Sequence, residues 1–117
     1  MAGQDDYKTI STTVTDVVTE VRFYTETVEH IKANHPEVPI ELPCITGAIE
    51  TCIVDPTYIE DSRNNSVVFV DEDSTNSEGY PLRIPIKRIE EKSGLLKTAF
   101  FGPTTENATI IYRKRKP

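Results

Sequence analysis

The sequence contains few of the residues on which metal, redox and catalytic sites are usually built. Two cysteines, Cys44 and Cys52, stand eight residues apart, without the CxxC spacing of zinc or redox sites. Two histidines, His30 and His35, stand five residues apart and do not share a helix face. The glycines are isolated and form no phosphate-binding cluster. We therefore predict no metal, no cofactor and no enzymatic activity.

We also expect neither a leader peptide nor a membrane-spanning segment. The first residues, MAGQDD, have neither the basic nor the apolar region of a signal peptide. No apolar run approaches the roughly 18 residues of a membrane helix. These absences favour a cytoplasmic protein with reduced thiols, or a part of a virus particle assembled in the cytoplasm. We expect no membrane contact.

Positive charges are outnumbered by negative ones, since 13 lysines and arginines stand against 19 acidic residues and the net charge of the 117 residues is −6. An acidic protein is poorly suited to nucleic acid, which is bound mainly by cations. The exception is a basic tail over 113–117, whose cations are Arg113, Lys114, Arg115 and Lys116. These cations could contact a phosphate or an acidic partner, although such a tail is more often solvated.

The longest periodic pattern is a heptad stripe of six apolar residues, spaced alternately by three and four. Its members are Val14, Val17, Val21, Tyr24, Val28 and Ile31. The stripe predicts an amphipathic helix over 12–35, after an extended segment over 1–11. His35-Pro36 would end the helix, because the residue before proline is pushed out of helical space. A strand over 17–24 is the rival, because alternate residues there are also apolar.

The flanks of the stripe bear on what the helix packs against. The positions beside it lack the paired opposite charges of a coiled coil, and Val18 widens its apolar face. Packing against the rest of this chain and packing against a second copy both remain open. Phe23 falls on the opposite side of such a helix, where it could dock a partner.

A proline-rich connector over 36–43 precedes a predicted β domain over 44–112. Its five short runs cover 44–54, 66–70, 82–89, 95–101 and 108–112. The fold class predicted is α+β, an N-terminal amphipathic helix followed by a small five-stranded antiparallel β-barrel or sandwich. Pro85 would place its strand at an edge or a bulge. In layout alone, this organisation resembles the Sm-like and SH3-like small barrels.

An acidic loop over 71–79 includes Asp71, Glu72 and Asp73. It does not fit a calcium-binding EF-hand, because the sixth position is Asn76 and the twelfth is Leu82. A solvated hairpin loop is the simpler interpretation. The alternative is a surface that docks on a basic partner.

These features predict a non-enzymatic subunit that acts by protein–protein contact with itself or another protein. It would be homo-oligomeric, as in a virion structural or accessory protein or an adaptor. The contacts would come from the heptad stripe, Phe23, the acidic residues and the basic tail. One alternative is an Sm-like barrel that binds RNA, and another is a small acidic inhibitor. A hydrolase would instead place His30 or His35 in a pocket with carboxylates.

Overall fold

The computed structural model describes residues 6–103 and 107–114, which form one eight-stranded sheet and three short helices. The strands are β1 Tyr7–Ser11, β2 Glu20–Tyr24, β3 Tyr58–Asp61, β4 Ser66–Thr75, β5 Pro81–Glu90, β6 Ser93–Leu96, β7 Phe100–Phe101 and β8 Ile110–Arg113. The helices are α1 Thr25–Asn34, α2 Glu37–Glu41 and α3 Ile45–Val54. All three helices lie between β2 and β3 in the chain.

The sheet is mixed, with strand order β1-β2-β6-β5-β4-β3-β8. The short strand β7 pairs with the first part of β5, beside Leu82 and Arg83. Only β2 and β6 pair in parallel; the other neighbours along this order are antiparallel. Within the described ranges, β1 and β8 are therefore the two end strands of the sheet, and β7, which also has a single neighbour, lies off this order.

The prediction of an N-terminal helix over 12–35 is wrong. Residues 12–19 form an irregular segment, β2 follows, and the helix α1 begins only at Thr25. The threonines and valines before Thr25 are β-branched and favour extended backbone over helix. The strand β2 is stabilised from both sides, since β1 and β6 both pair with it. Tertiary pairing thus outweighs the heptad pattern.

The prediction of a five-stranded barrel or sandwich is also wrong, and its first strand is the helix α3. This helix buries Ile45, Ile49, Cys52 and Ile53, spaced by four, three and one residues, as one face of an α-helix requires. The predicted connector contains α2, in which Pro39 is the third residue. Proline fits there because the N–H groups of a first helical turn have no intrahelical acceptor.

The strand that contains Pro85 is not an edge strand, because β5 lies in the middle of the sheet. Lys97 N donates to Pro85 O at 3.0 Å, so the backbone polar groups of Pro85 point towards the side of β6 and β7. On that side, β7 pairs with β5 only as far as Arg83, and the pairing of β6 with β5 starts at Ile86. The missing N–H of Pro85 falls in this gap and interrupts no ladder hydrogen bond.

The two faces of the sheet differ. The main core lies between the helices and one face, and includes Ile31, Ile49, Val67, Phe69 and Ile84. The helix-free face buries a smaller cluster of Tyr58, Val68 and Val70.

Beside this cluster, the guanidinium of Arg83 donates two hydrogen bonds to the carboxylate of Glu60, at 2.6 and 3.1 Å. Both side chains are almost fully buried. Arg83 on β5 and Glu60 on β3 are separated by β4, so the ion pair links these two strands across the strand between them.

Candidate functional site

The heptad stripe does not form a docking surface, because most of its residues lie in the core of this chain. Val14, Val17, Val21 and Ile31 are buried, Val28 packs against the core, and Tyr24 is half-buried. Phe23, expected on an exposed helix surface, lies on β2 with 4% of its surface exposed. These residues therefore pack within the chain, and among them Tyr24 also lines a surface cleft between α1 and β6.

Of the predicted acidic residues, one is buried in β4 and the other two are exposed. Asp71 is buried and accepts hydrogen bonds from Asp73 N at 2.9 Å and Ser74 Oγ at 3.1 Å. Glu72 and Asp73 are exposed, and β4 continues as far as Thr75. Most of the predicted acidic loop is thus strand. The carboxylate of Asp71 accepts hydrogen bonds from residues two and three positions later in the chain, and its burial keeps it from a partner.

The basic tail begins at the end of β8. The Arg113 guanidinium lies 4.9 Å from the centre of the Tyr58 ring, and Lys114 pairs with Asp55 at 3.0 Å. The hydrogen bond to Asp55 raises the pKa of Lys114 above its ordinary value, so this residue is a cation at neutral pH. Arg115 and Lys116 lie outside the described residues.

The two end strands of the sheet, β1 and β8, are largely exposed. Three of the four residues of β8 and four of the five residues of β1 are exposed. Ile110 and Ile111 on β8 are 37% and 40% exposed, and Tyr7 on β1 is 47% exposed. An exposed strand edge with apolar side chains is a template for pairing with another chain. Sequence reasoning missed this surface because only the strand order shows which strands lack a second neighbour.

Comparisons with protein-family models, with curated proteins and with solved structures found no match to this chain.

A cleft of about 430 Å³ lies between α1 and the end of β6; we name it the His30 cleft. Tyr24, Glu26, His30 and Lys97 provide its polar groups, and the two leucines of β6 provide apolar surface. Asn34 Nδ2 lies 3.1 Å from His30 Nδ1 and donates to His30 O at 3.0 Å. With Nδ1 accepting from this amide, the neutral ring carries its proton on Nε2.

The remaining histidine and the two cysteines lie elsewhere. His35 packs near Phe100, with ring centroids 5.7 Å apart, and its Nδ1 lies 3.7 Å from Glu37. Cys44 is exposed just before α3, and Cys52 is buried in α3. Burial, with a smaller contribution from the nearby carboxylate of Asp71, raises the pKa of Cys52 well above its ordinary value. This thiol is therefore neutral at physiological pH.

The described ranges 6–103 and 107–114 also bear on metal binding and on membrane contact. No group of three or more histidine, cysteine or acidic residues there could hold a metal ion. None of the helices α1 to α3 has the length and apolar character needed to cross a bilayer.

Proposed function

We propose that this protein acts by protein–protein contact as a non-enzymatic, homo-oligomeric assembly subunit. The open β8 edge is the observation that supports this most directly, since it joins unpaired strand backbone to the exposed side chains of Ile110 and Ile111. Neither of the two alternatives has comparable support. Arg83 is buried against Glu60, so it adds no cation to an RNA surface, and Asp71 is buried within β4.

An adaptor or a structural or accessory subunit of a virus particle would use such an edge. We place this activity in the cytoplasm, where the free thiols Cys44 and Cys52 stay reduced.

Replacing Ile111 by lysine should dissociate the assembly. A lysine on an edge strand opposes pairing, because its charge has to be desolvated beside another strand. We expect the mass from chromatography with light scattering to fall from a multiple of 13.2 kDa to that of one chain.

The matched control is Ile40→Lys, which introduces the same charge at a residue that is 77% exposed on α2. This variant should keep the wild-type mass. If the wild type is itself monomeric at every concentration, or if both lysine variants lose the assembly alike, the edge does not mediate self-association.

A second candidate function is acid–base hydrolysis in the His30 cleft. The specific observation in its favour is that His30 shares the cleft with the carboxylate of Glu26, as the hydrolase alternative requires. The Glu26 carboxylate could take a proton from an attacking water, while the Nε2–H of neutral His30 would donate a hydrogen bond to the oxygen on which negative charge develops, and Lys97 would attract an anionic substrate. Asn34 would act as the group that orients the imidazole.

Substituting His30 by glutamine tests this candidate, with His35→Gln as the matched control outside the cleft. The probes are 4-nitrophenyl acetate, bis(4-nitrophenyl) phosphate and a fluorophore-labelled oligoribonucleotide. A hydrolase should lose about 10²–10⁴-fold of its turnover in His30→Gln and keep it in His35→Gln. Absence of turnover by the wild type with all three probes would remove this candidate.

A further inference from the structure

The two edges of the sheet run in opposite directions. Between β1 and β8 the strand order includes five antiparallel steps and one parallel step. An odd number of reversals makes β8 antiparallel to β1. A second copy in the same orientation, placed beside β8, therefore presents its β1 as an antiparallel neighbour, and the sheet can continue from one copy to the next.

Backbone hydrogen bonds fix which residues of β1 face the open edge. Thr25 N donates to Asp6 O at 3.1 Å, so Asp6 bonds towards β2. In an antiparallel ladder, successive residues alternate between the two sides of the strand. The N–H and C=O groups of Tyr7, Thr9 and Ser11 therefore point away from β2, towards the open edge.

The same reasoning applies to β8. Lys114 N donates to Thr57 O at 2.8 Å, so Lys114 bonds towards the β3 side. The backbone of Arg113 then faces the open edge. A hydrogen-bonded pair between two copies can accordingly join Arg113 to Tyr7, because both have outward N–H and C=O groups.

The side chains of Arg113 and Tyr7 also lie on the same face of the sheet. Arg113 stacks over Tyr58, which belongs to the cluster on the helix-free face. Tyr7 contacts Tyr24, whereas its neighbour Lys8 reaches Glu50 of α3 on the helix face. Directly opposed residues of paired strands must share a face. The pairing of Arg113 with Tyr7 meets this condition.

This register also makes the charges complementary, because it places Lys114 opposite Asp6. In the sequence, Asp6 follows a second aspartate, and Lys114 precedes Arg115 and Lys116. A cross-strand pair of opposite charges stabilises a sheet, whereas like charges destabilise it. A symmetric pair of β8 strands offers no such complementarity, since β8 and the residue after it carry only cations.

We infer that β8 of one copy pairs with β1 of a second copy, head to tail, with Arg113 opposite Tyr7 and Lys114 opposite Asp6. This inference rests on the proposed function and names the partner that the β8 edge takes. A head-to-tail interface leaves one open β1 and one open β8 on each assembly. The assembly therefore grows until it closes as a ring, or continues as a filament.

Proline substitutions can block one edge at a time. Thr9→Pro removes an N–H of β1, and Arg113→Pro removes one of β8; the alternation of each ladder points both N–H groups to the open side of the strand. Proline is tolerated at such edge positions, so both variants should fold. Each blocked variant should be a 13.2 kDa monomer alone, and an equimolar mixture should form a dimer of twice that mass. Thr9→Ala and Arg113→Lys are the controls that keep the N–H groups, and both should assemble as the wild type does.

The outcomes separate this inference from the proposed function. If the wild type is monomeric, self-association itself is wrong. If the wild type assembles but Thr9→Pro alone still dimerises, the copies pair through β8 symmetrically and the head-to-tail inference is overturned. It is also overturned if the mixture of blocked variants remains monomeric. Circular dichroism of each proline variant, compared with its control, shows whether the sheet is intact, and a folded variant is required for each of these results.

Discussion

Replacing Arg83 by methionine is expected to lower the free energy of unfolding by about 3–5 kcal/mol. The Glu60 carboxylate would be left buried without the guanidinium that donates two hydrogen bonds to it. A carboxylate in this position is removed from water, and an unpaired buried charge is strongly destabilising. Urea unfolding followed by circular dichroism measures the loss.

Two further variants at this ion pair sharpen the result. Arg83→Lys should also be destabilising, because an ammonium cannot reproduce the bidentate contact of the guanidinium. The double variant Glu60→Leu with Arg83→Met should recover most of the loss, since both charges are then absent and apolar side chains can fill the space. A loss below about 1 kcal/mol in Arg83→Met would show that water reaches the pair.

Truncating Ile49 to alanine is expected to cost about 2–5 kcal/mol, because its side chain is fully buried between α3 and the sheet. Alanine is the strongest helix former, so the cost reports lost packing and not lost helix propensity. Thermal or urea unfolding of the purified variant gives the value.

The matched control is Ile40→Ala, the same change at a side chain that is 77% exposed on α2. Its effect should stay within about 0.5 kcal/mol. Equal effects of the two substitutions would contradict the placement of α3 against the sheet. This comparison also tests the correction of residues 44–54 from strand to helix.

The helical spacing of the apolar residues in α3 is visible in the sequence, but this spacing alone does not distinguish a helix from a strand. Ile45, Ile49, Cys52 and Ile53 have helical spacing, but the run is short, β-branched and interrupted by Gly47. A short apolar run of this kind is ambiguous between helix and buried strand. The later β-rich region was recognisable, because alternation such as Leu82, Ile84 and Ile86 matches the buried positions of β5.

The heptad stripe misled for a different reason. Its three-four spacing continues across the boundary between β2 and α1, although Val21 and Tyr24, three residues apart, lie on opposite faces of the strand. Extended backbone is chosen over 20–24 by pairing with β6, whose partner residues lie more than 70 positions farther along the chain. Periodicity is a local signal and cannot report such a contact.

The candidate sites depend on tertiary structure to an even greater degree. The ion pair between Glu60 and Arg83 spans two strand neighbours, and only the register across β4 brings these side chains together. The open edges follow from the strand order, in which the first and last strands of the chain lie farthest apart. The sequence does provide the charges that make those edges complementary: acidic residues before β1 and basic residues after β8.

The mass of the wild-type chain in solution tests the central claim most directly. Light scattering over a range of concentrations should give masses above 13.2 kDa that grow with concentration at low salt. The masses should fall as salt is added, because ions screen the charges at the exposed edges. A constant mass of 13.2 kDa at every concentration and every salt level would contradict self-assembly through the edges of the sheet.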